Sequence, residues 1–378
     1  MESEPPAPTP PPLTSRGVPP LIFQAAPPPR PGTGKGWKIA VLVLLILLGF
    51  SLIGNLKSLL GAVLGRGKLI KNHETSLEEV VIQDAETDSD DKIAVIEVKG
   101  VITGEPDRTG SSLTDDIKAQ LKAAAKDHAV KAVILKVDSP GGEVLASDEI
   151  YNLISEFQLK HNGIPVVASM GGLAASGGYY ISAPCQYIVA NELTITGSIG
   201  VIMHGYNYRG LMDKVGVIPE IYKSGRFKDM LSGEKEPGEA DPEERKMVQA
   251  MIDETYGKFT RIVAQGRGFA HEHNKNKGRS LAPDWKDYAD GRILTARQAY
   301  DLGLVDQVGD FKAAVKSAKE LAGIPDASLI EYEQPFDFSN LFRFLGKTEA
   351  PTLKVDLGLE MPRLQAGRPY FLLPIAAH

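Results

Sequence analysis

The sequence has little of what several common kinds of functional site require. Its 378 residues include one cysteine, Cys185, so no disulfide can form within the chain. No group of Cys, His and acidic residues has the spacing of metal ligands, and nothing in the sequence requires a cofactor. The net charge of −6 does not favour nucleic acid as a partner, and no internal repeat is evident. We therefore expect a single unit that uses neither metal nor cofactor.

The N-terminal part of the chain differs in composition from the rest. Residues 1–36 contain twelve prolines and little to bury, which predicts a disordered tail. Residues 39–56 form an apolar run of eighteen residues without a charge, flanked by Trp37 and two lysines. A helix of this length spans about 27 Å, enough for the hydrocarbon core of a bilayer, whereas the apolar run of a cleaved signal peptide is shorter. We predict a transmembrane helix over residues 37–57, with membrane lipid as a partner; its flanking charges do not fix its orientation.

The remainder of the chain divides by charge and by strand pattern. Residues 58–91 are rich in acidic side chains, which predicts a solvated linker. Over residues 92–334, short apolar strands such as 130–137 alternate with helices. This alternation indicates an α/β domain with a mostly parallel sheet. Residues 335–378 are a C-terminal tail, and its apolar stretch over 368–375 covers an interface, touches the membrane or occupies a groove; the sequence leaves these three open.

One later helix has clear signals at both ends. Asp241 suits an N-cap, Pro242 suits the first helical position, and Gly266 suits a C-terminal stop. Apolar residues recur between these ends at helical spacing, Met247 and Met251 among them. We predict a helix that ends near Gly266 and holds both methionines in the core.

The most informative stretch of the chain is Ala174-Ala-Ser-Gly-Gly-Tyr-Tyr180. An apolar run over residues 164–170 predicts a buried strand, two glycines break it, and a helix can begin between Leu173 and Pro184. Ser176 then lies in the first turn, where free N–H groups and the helix dipole favour a developing negative charge. A nucleophile and an oxyanion hole can be built together at such a place. Close packing of a helix on a strand through small residues is the alternative.

A second turn of small residues, Asp138-Ser-Pro-Gly-Gly142, follows the predicted strand that ends at Val137. Two such turns, each after a parallel strand, place their N–H groups at the same edge of the sheet. A peptide or thioester carbonyl at this edge can be polarised by Gly142 from one turn and Gly177 from the other. In the alternative interpretation, Gly141 and Gly142 only make a tight turn.

Several stretches share their residues and their order with one known family. They are Asp138-Ser-Pro-Gly-Gly142, Met170-Gly-Gly-Leu-Ala-Ala-Ser-Gly-Gly-Tyr-Tyr180, Thr196-Gly-Ser-Ile-Gly-Val-Ile202, Lys223-Ser-Gly-Arg-Phe-Lys-Asp229, Gly291-Arg-Ile-Leu-Thr-Ala-Arg-Gln-Ala299 and Gly303-Leu-Val-Asp306. Together they resemble signal peptide peptidase A, a family of membrane-anchored serine proteases in the Clp protease/crotonase superfamily. The resemblance covers residues 92–325 and implies a Clp/crotonase-like fold of repeated ββα units with a mostly parallel sheet.

The same resemblance implies a Ser–Lys dyad in place of a Ser–His–Asp triad. Ser176 is then the nucleophile and Lys228 the general base. The N–H groups of Gly142 and Gly177 form the oxyanion hole. Ser198 either hydrogen-bonds the lysine or satisfies nearby backbone groups. A lysine can take the serine proton at neutral pH only where burial or a nearby cation lowers its pKa.

Two other residues are candidates for the general base. Lys223 lies five residues before Lys228, and the direction of its side chain cannot be deduced without a strand register. His204 lies 28 residues after Ser176, a separation similar to that of Clp-type proteases, and it would need Asp213 or Asp138 to orient it.

The resemblance implies a membrane-anchored serine endopeptidase that cleaves remnant signal peptides and other apolar membrane-associated peptides. It also implies a homo-oligomer at the cell membrane, with catalytic domains outside the cytoplasm and with Lys228 able to complete the site of a neighbouring subunit. An acyl-CoA enzyme of the crotonase type and a non-catalytic membrane scaffold are the alternatives from other functional classes.

Overall fold

The structure is a computed structural model that describes residues 41, 43–45, 48, 77–106, 111–161, 163–236, 238, 242–275, 277–334 and 369–372. Contacts divide the chain into two units after residue 73, and the few described residues of the first unit have helical backbone. Within the described residues, no helix is both long enough and apolar enough to cross a membrane. The predicted tail over residues 1–36 lies outside the described residues, as does most of the predicted transmembrane helix over residues 37–57.

The described part of the second unit is built from strands and helices that alternate along the chain. The strands are β1 (Glu78–Gln83), β2 (Lys92–Lys99), β3 (Val130–Ser139), β4 (Gly141–Glu143), β5 (Val166–Ala175), β6 (Tyr187–Ala190), β7 (Ile195–Gly197), β8 (Ile202–Met203), β9 (Ile293–Thr295), β10 (Gln307–Val308), β11 (Ser328–Glu333) and β12 (Pro369–Leu372). The α-helices are α1 (Leu113–Lys126), α2 (Val144–Lys160), α3 (Gly177–Ser182), α4 (Arg209–Val215), α5 (Pro242–His273), α6 (Ala296–Asp301) and α7 (Phe311–Ala322), and a 3₁₀ turn spans Trp285–Tyr288.

Nine of these strands form one sheet in the order β1-β11-β2-β3-β5-β6-β10, with β7 beside β5 and β9 beside β7. The pairs along the path from β11 to β10 are parallel, as is the pair of β5 with β7. Strands β1 and β9 pair antiparallel with their neighbours. The prediction of a mixed α/β domain with a mostly parallel sheet is therefore confirmed.

The central strands are apolar on both faces because helices cover both sides of the sheet. In β2, Ala94 and Ile96 belong to the hydrophobic cluster that includes buried residues of α1 and α2. The alternate residues Ile93 and Val95 belong to the second cluster, which includes buried residues of α7. All four are at most 1% exposed, and such uninterrupted apolar runs are typical of parallel strands buried on both faces.

Two segments that the sequence places outside the folded domain belong to its sheets. Glu78–Gln83 lies within the predicted linker over residues 58–91, yet it forms β1 and pairs with β11. It contains three consecutive apolar residues, Val80 to Ile82, but it is almost entirely exposed and shows neither the alternation nor the longer apolar run by which a strand is recognised in a sequence. Pro369–Leu372 lies within the predicted tail and forms the middle strand of a small antiparallel sheet in the order β4-β12-β8.

Strand β5 is longer than the sequence predicts, because Gly171 and Gly172 do not end it. Its first half pairs with β6 up to Met170, and its second half pairs with β7 from Leu173 to Ala175. The glycines lie where the strand changes partner, so backbone hydrogen bonding continues beyond them and the following helix begins at residue 177.

Helix α5 is also longer than predicted, because it continues past Gly266 to His273. A Cβ atom at Gly266 would lie 2.5 Å from the carbonyl oxygen of Ala183, at the C-terminal end of α3. This glycine therefore permits the close approach of two chain segments instead of ending the helix. Met247 and Met251 are 36% and 46% exposed, so the prediction that they lie in the core is wrong.

Candidate active site

The carboxyl ends of three parallel strands meet at one edge of the large sheet. β3 ends beside β5, where Ser139 pairs with Ala174, and β5 ends beside β7, where Ala175 pairs with Gly197. Polar or glycine-rich turns follow directly after each of these ends. In parallel sheets the crevice outside the carboxyl ends of the strands is the usual location of a ligand, so this edge is the candidate site.

Ser176 connects β5 to α3 with an unusual backbone conformation. Its φ of 53° is one that residues with a side chain rarely adopt, and such strain costs about 1–3 kcal/mol. The surroundings fix it, because its N–H donates to the carbonyl of Gly197 at 2.8 Å and its carbonyl accepts from the N–H of Tyr180 at 2.8 Å. The sequence predicts Ser176 within the first turn of the helix, but it is the N-cap of α3, one position earlier, and its side chain makes no capping hydrogen bond. A sharp, strained turn from strand to helix is also how other serine hydrolases expose a nucleophile.

The two predicted glycine turns are in direct contact. A Cβ atom at Gly177 would lie 3.0 Å from the Cα atom of Gly141 and 3.1 Å from the nitrogen of Gly142. A side chain stabilises the first turn, because the hydroxyl of the buried Ser139 accepts a hydrogen bond from the N–H of Gly141 at 3.1 Å. The structure thus brings Ser176, Gly142 and Gly177 together, as the strand order requires.

Ser198 lies beside these turns through the backbone of β7. Its φ of 49° is again positive, and its N–H donates to the carbonyl of Arg292 at 2.7 Å. The residue is 4% exposed. It also lines a groove of about 450 Å³ together with Tyr256 and Leu372. Its backbone places it next to Ser176, but no contact within the described residues joins it to Lys228.

Lys228 lies in the irregular segment between α4 and α5. Its side chain is exposed, and its N–H donates to the carbonyl of Gly225 within a turn. Among the described residues, no hydrogen bond or ion pair joins Lys228 to Ser176. The Ser–Lys dyad that the family resemblance implies is therefore not formed within this single chain, and it stays a prediction.

The other charged groups of this segment are engaged with one another. Lys223 donates to Asp229 at 2.8 Å, and Lys235 lies 3.3 Å from the same carboxylate and 2.5 Å from Glu244. The hydrogen bond from Lys223 is the main cause of a lowered pKa of Asp229, and the hydrogen bond to Glu244 raises the pKa of Lys235. Lys223 is thus engaged in an ion pair within this segment, and among the described residues no hydrogen bond joins it to Ser176.

His204 follows β8 and has no acid to orient it within the described residues. Its Nε2 atom is buried and has no hydrogen-bond partner there. Asp213 binds Arg209 at 2.9 Å instead, and Asp138 accepts from the N–H of Leu173 at 3.0 Å. The described residues therefore do not contain the Ser–His–Asp arrangement.

The chain is similar in sequence to several known proteins. A sequence profile of Peptidase family S49 matches residues 158–325, and a profile of Clp protease matches residues 89–187. A protein of Synechocystis sp. whose name describes it as a protease is 42% identical, over 71% of this chain and 88% of that protein. A protein of Enterococcus faecium that carries the name signal peptide peptidase SppA is 39% identical, over 71% of this chain and 74% of that protein. The chain belongs to peptidase family S49.

Further relatives of this S49 chain are longer proteins. Protease 4 of Salmonella typhi is 35% identical over 65% of this chain, but the match covers 37% of that protein. The names and the profiles together make the S49 chain a serine-type peptidase of the signal peptide peptidase A family. This assignment excludes the two alternatives from other functional classes, an acyl-CoA enzyme and a non-catalytic scaffold. The S49 profile covers Ser176, Ser198 and Lys228.

An aromatic cluster around Tyr180, next to Ser176 in this S49 chain, is absent from the site residues that the sequence predicts. The ring of Tyr180 lies 4.7 Å from Phe371 in a stacked arrangement and 4.9 Å from Phe259 in an edge arrangement. Its hydroxyl donates to Asp148 at 2.7 Å, and Lys258 donates to the same carboxylate at 2.6 Å. Burial, helped by this hydrogen bond, raises the pKa of Tyr180. A tyrosine one helical turn after the serine was the available signal, but its partners come from α2, α5 and the tail.

Proposed function

We propose that this S49 peptidase is a membrane-anchored endopeptidase that cleaves remnant signal peptides and other apolar membrane-associated peptides. The name of the Enterococcus faecium relative supports the substrate class. The uncharged apolar run over residues 39–56 supports anchoring in the cell membrane. A catalytic domain outside the cytoplasm, which the family resemblance implies, is part of the proposal.

The observation that carries the proposed chemistry is the contact between the strained turn of Ser176 and the turn of Gly141 and Gly142. In the proposed reaction the hydroxyl of Ser176 attacks a peptide carbonyl while Lys228 accepts its proton. The N–H groups of Gly142 and Gly177 stabilise the negative oxygen that develops. Lys228 returns the proton to the leaving amine, and water then hydrolyses the acyl-enzyme.

The exposure of Lys228 fits a site completed by a second copy of the chain. The region from β8 to α5 leaves large apolar side chains in solvent, among them Tyr206 (74%), Leu211 (63%), Val215 (66%), Ile218 (77%) and Tyr222 (90%). An apolar surface of this kind is typical of a protein–protein interface. We therefore include in the proposal a homo-oligomer in which this surface packs on a neighbour and carries Lys228 to the neighbour's Ser176.

Complementation between two inactive variants tests both the dyad and its location. Ser176→Ala and Lys228→Ala are each expected to lose nearly all hydrolysis of an apolar fluorogenic peptide, while Lys316→Ala, at an exposed lysine of α7 outside the proposed interface, keeps it. If Lys228 acts in the neighbouring subunit, equal co-assembly of the two inactive chains restores about a quarter of the sites.

Each outcome of the complementation experiment has a clear meaning. Restored hydrolysis supports the site shared between subunits. No restoration in assembled mixtures places Lys228 in the site of its own chain. Full activity of Lys228→Ala overturns the dyad, and the next base to test is then His204.

A further inference from the structure

A small cavity lies between α2 and α5, beside the end of α3. Its volume is about 170 Å³. The two helices enclose it where α5 comes close to the residues that follow α3, since a Cβ atom at Gly266 would lie 2.5 Å from the carbonyl oxygen of Ala183. Leu159 lines the cavity and is 72% exposed, so the cavity is open to solvent at this side chain. It shares no lining residue with the candidate active site.

Most of the cavity wall is apolar, and all its described lining residues are uncharged. Two aromatic rings in the wall are packed against other rings: Tyr151 lies 5.7 Å from Tyr180, and Phe269 lies 4.0 Å from His273. A charged ligand would be unfavourable here, because a buried charge needs a charged or strongly polar partner. Apolar cavities of about 150 Å³ bind molecules of the size of benzene. The cavity therefore suits an uncharged molecule with a single ring.

One polar side chain in the wall has a hydrogen-bond acceptor that the described residues do not use. Gln158 is 2% exposed, and its Nε2 atom donates to the carbonyl oxygen of Pro184 at 2.9 Å. Its Oε1 atom is buried and has no hydrogen-bond partner among the described residues. The amide group cannot turn to offer its N–H groups instead without losing the bond to Pro184. Because a buried acceptor without a donor is unfavourable, a ligand that brings an O–H or N–H group gains affinity here.

A second polar atom lies on the same face of α2. Ser155 precedes Gln158 by three residues, which places the two side chains next to each other on the helix. Its Oγ atom is also buried and also lacks a hydrogen-bond partner within the described part of the chain. A serine hydroxyl can both donate and accept, so it can bind the same ligand group as Gln158. A ligand hydroxyl, which donates once and accepts as well, matches this pair.

We propose that this cavity binds a small uncharged ligand of the phenol class, with one apolar ring and one hydroxyl group. The ring lies between Tyr151 and Phe269. The hydroxyl donates to Oε1 of Gln158 and accepts from the hydroxyl of Ser155. This inference goes beyond the proposed function, because binding requires neither Ser176 nor Lys228, and its failure leaves the peptidase proposal unchanged.

Fluorine NMR of the full-length chain in detergent tests the ligand class without any turnover. The probes are para-fluorophenol and fluorobenzene, which differ in the hydroxyl group. Displacement by an excess of unlabelled phenol separates saturable binding from partition into the detergent. We expect para-fluorophenol to bind at least about tenfold more tightly than fluorobenzene, because fluorobenzene leaves the acceptor of Gln158 without a donor.

A pair of matched substitutions locates the site. Gln158→Met removes the acceptor and keeps an unbranched side chain of similar length. It is expected to weaken the binding of para-fluorophenol at least about tenfold and to change that of fluorobenzene less than about threefold. Gln249→Met makes the same substitution at an exposed glutamine of α5 outside the cavity, and it is expected to leave the affinities of both probes unchanged.

Three results would overturn the inference. They are the lack of saturable para-fluorophenol binding to the wild-type chain, equal affinities of the wild-type chain for the two probes, and equal affinities of Gln158→Met and Gln249→Met for para-fluorophenol. Urea unfolding of each variant shows that it is folded. Should Gln158→Met not fold, Ser155→Ala replaces it, and the loss of one hydroxyl is expected to weaken the binding of para-fluorophenol at least about threefold.

Discussion

Backbone contact limits which residues the site can hold. At Gly177, a Cβ atom would lie 2.7 Å from the hydroxyl oxygen of Ser147 and 3.0 Å from the Cα atom of Gly141. Ser147 lies on α2 and Gly141 lies in β4, so a side chain at position 177 would have to displace one of these two segments. The glycine is therefore required by the distance between the two turns, and not by its own φ, which is not in the left-handed region.

Two glycines only five residues apart in the sequence should respond differently to the same substitution. Gly177→Ala is expected to lower kcat/KM for an apolar peptide by at least about 100-fold, because it displaces a donor of the oxyanion hole. Gly172→Ala is the matched control, since its Cβ atom would meet only the carboxylate of Asp138 at 3.9 Å. Peptide hydrolysis by the two variants measures the difference. Equal activities would mean that the nitrogen of Gly177 does not bind the oxyanion.

The residues that the sequence correctly predicts to lie together share one property. Each of them follows a strand closely in the chain. Gly142 and Ser176 follow directly after parallel strands, and the rule for parallel sheets places such turns side by side. Lys228 lies in an irregular segment, so no periodicity fixes its position. Tyr180 and Asp148 meet through tertiary packing of α3 on α2, a contact that a single sequence does not encode locally.

At the scale of elements, two glycines of helix α5 lie in opposite surroundings. Gly266 is buried against the backbone of Ala183, whereas Gly268 is exposed, and a Cβ atom there would meet nothing within 4 Å. Both have helical backbone within α5. The sequence alone predicts the same effect for both glycines, because helix propensity depends on the residue type and not on its tertiary contacts.

The same substitution at these two glycines is therefore expected to change stability in opposite directions. Gly268→Ala should raise the free energy of unfolding by up to about 1 kcal/mol through helix propensity. Gly266→Ala should lower it by about 1–3 kcal/mol, because the methyl group overpacks the contact with α3. Urea unfolding of both full-length variants measures the two changes. A stabilising effect at Gly266 would show that α5 does not approach α3 this closely.

Elements with a clear periodic pattern can be predicted well, whereas those held by pairing alone cannot. Strands β2 and β3 are long apolar runs, which is how they can be recognised in the sequence. Strand β1 is exposed and has only three consecutive apolar residues, so its pairing with β11 is what makes it a strand. For strand β12 the sequence leaves three alternatives open, and its pairing with β4 and β8 supports occupation of a groove.

At the scale of the whole folded unit, one buried carboxylate joins distant parts of the chain. Asp306 binds the guanidinium of Arg267 on α5 at 2.5 Å, and both side chains are fully buried. The same carboxylate accepts from the N–H groups of Ile188 in β6 and Arg279 after α5, each at 2.8 Å. A long helix, the sheet and a connecting loop thus meet at one charge.

Removal of this carboxylate should therefore affect the fold more than any exposed ion pair does. Asp306→Ala leaves a buried guanidinium without its partner and is expected to lower the free energy of unfolding by about 3–5 kcal/mol. Asp301→Ala is the control, because its pair with Arg297 at 3.5 Å is exposed and should contribute at most about 1 kcal/mol. Urea unfolding of the two variants gives both values. If Asp306→Ala lowers the free energy of unfolding no more than Asp301→Ala does, water reaches Arg267 once the carboxylate is gone. The packing of α5 on the sheet, and not this ion pair, then holds the unit together.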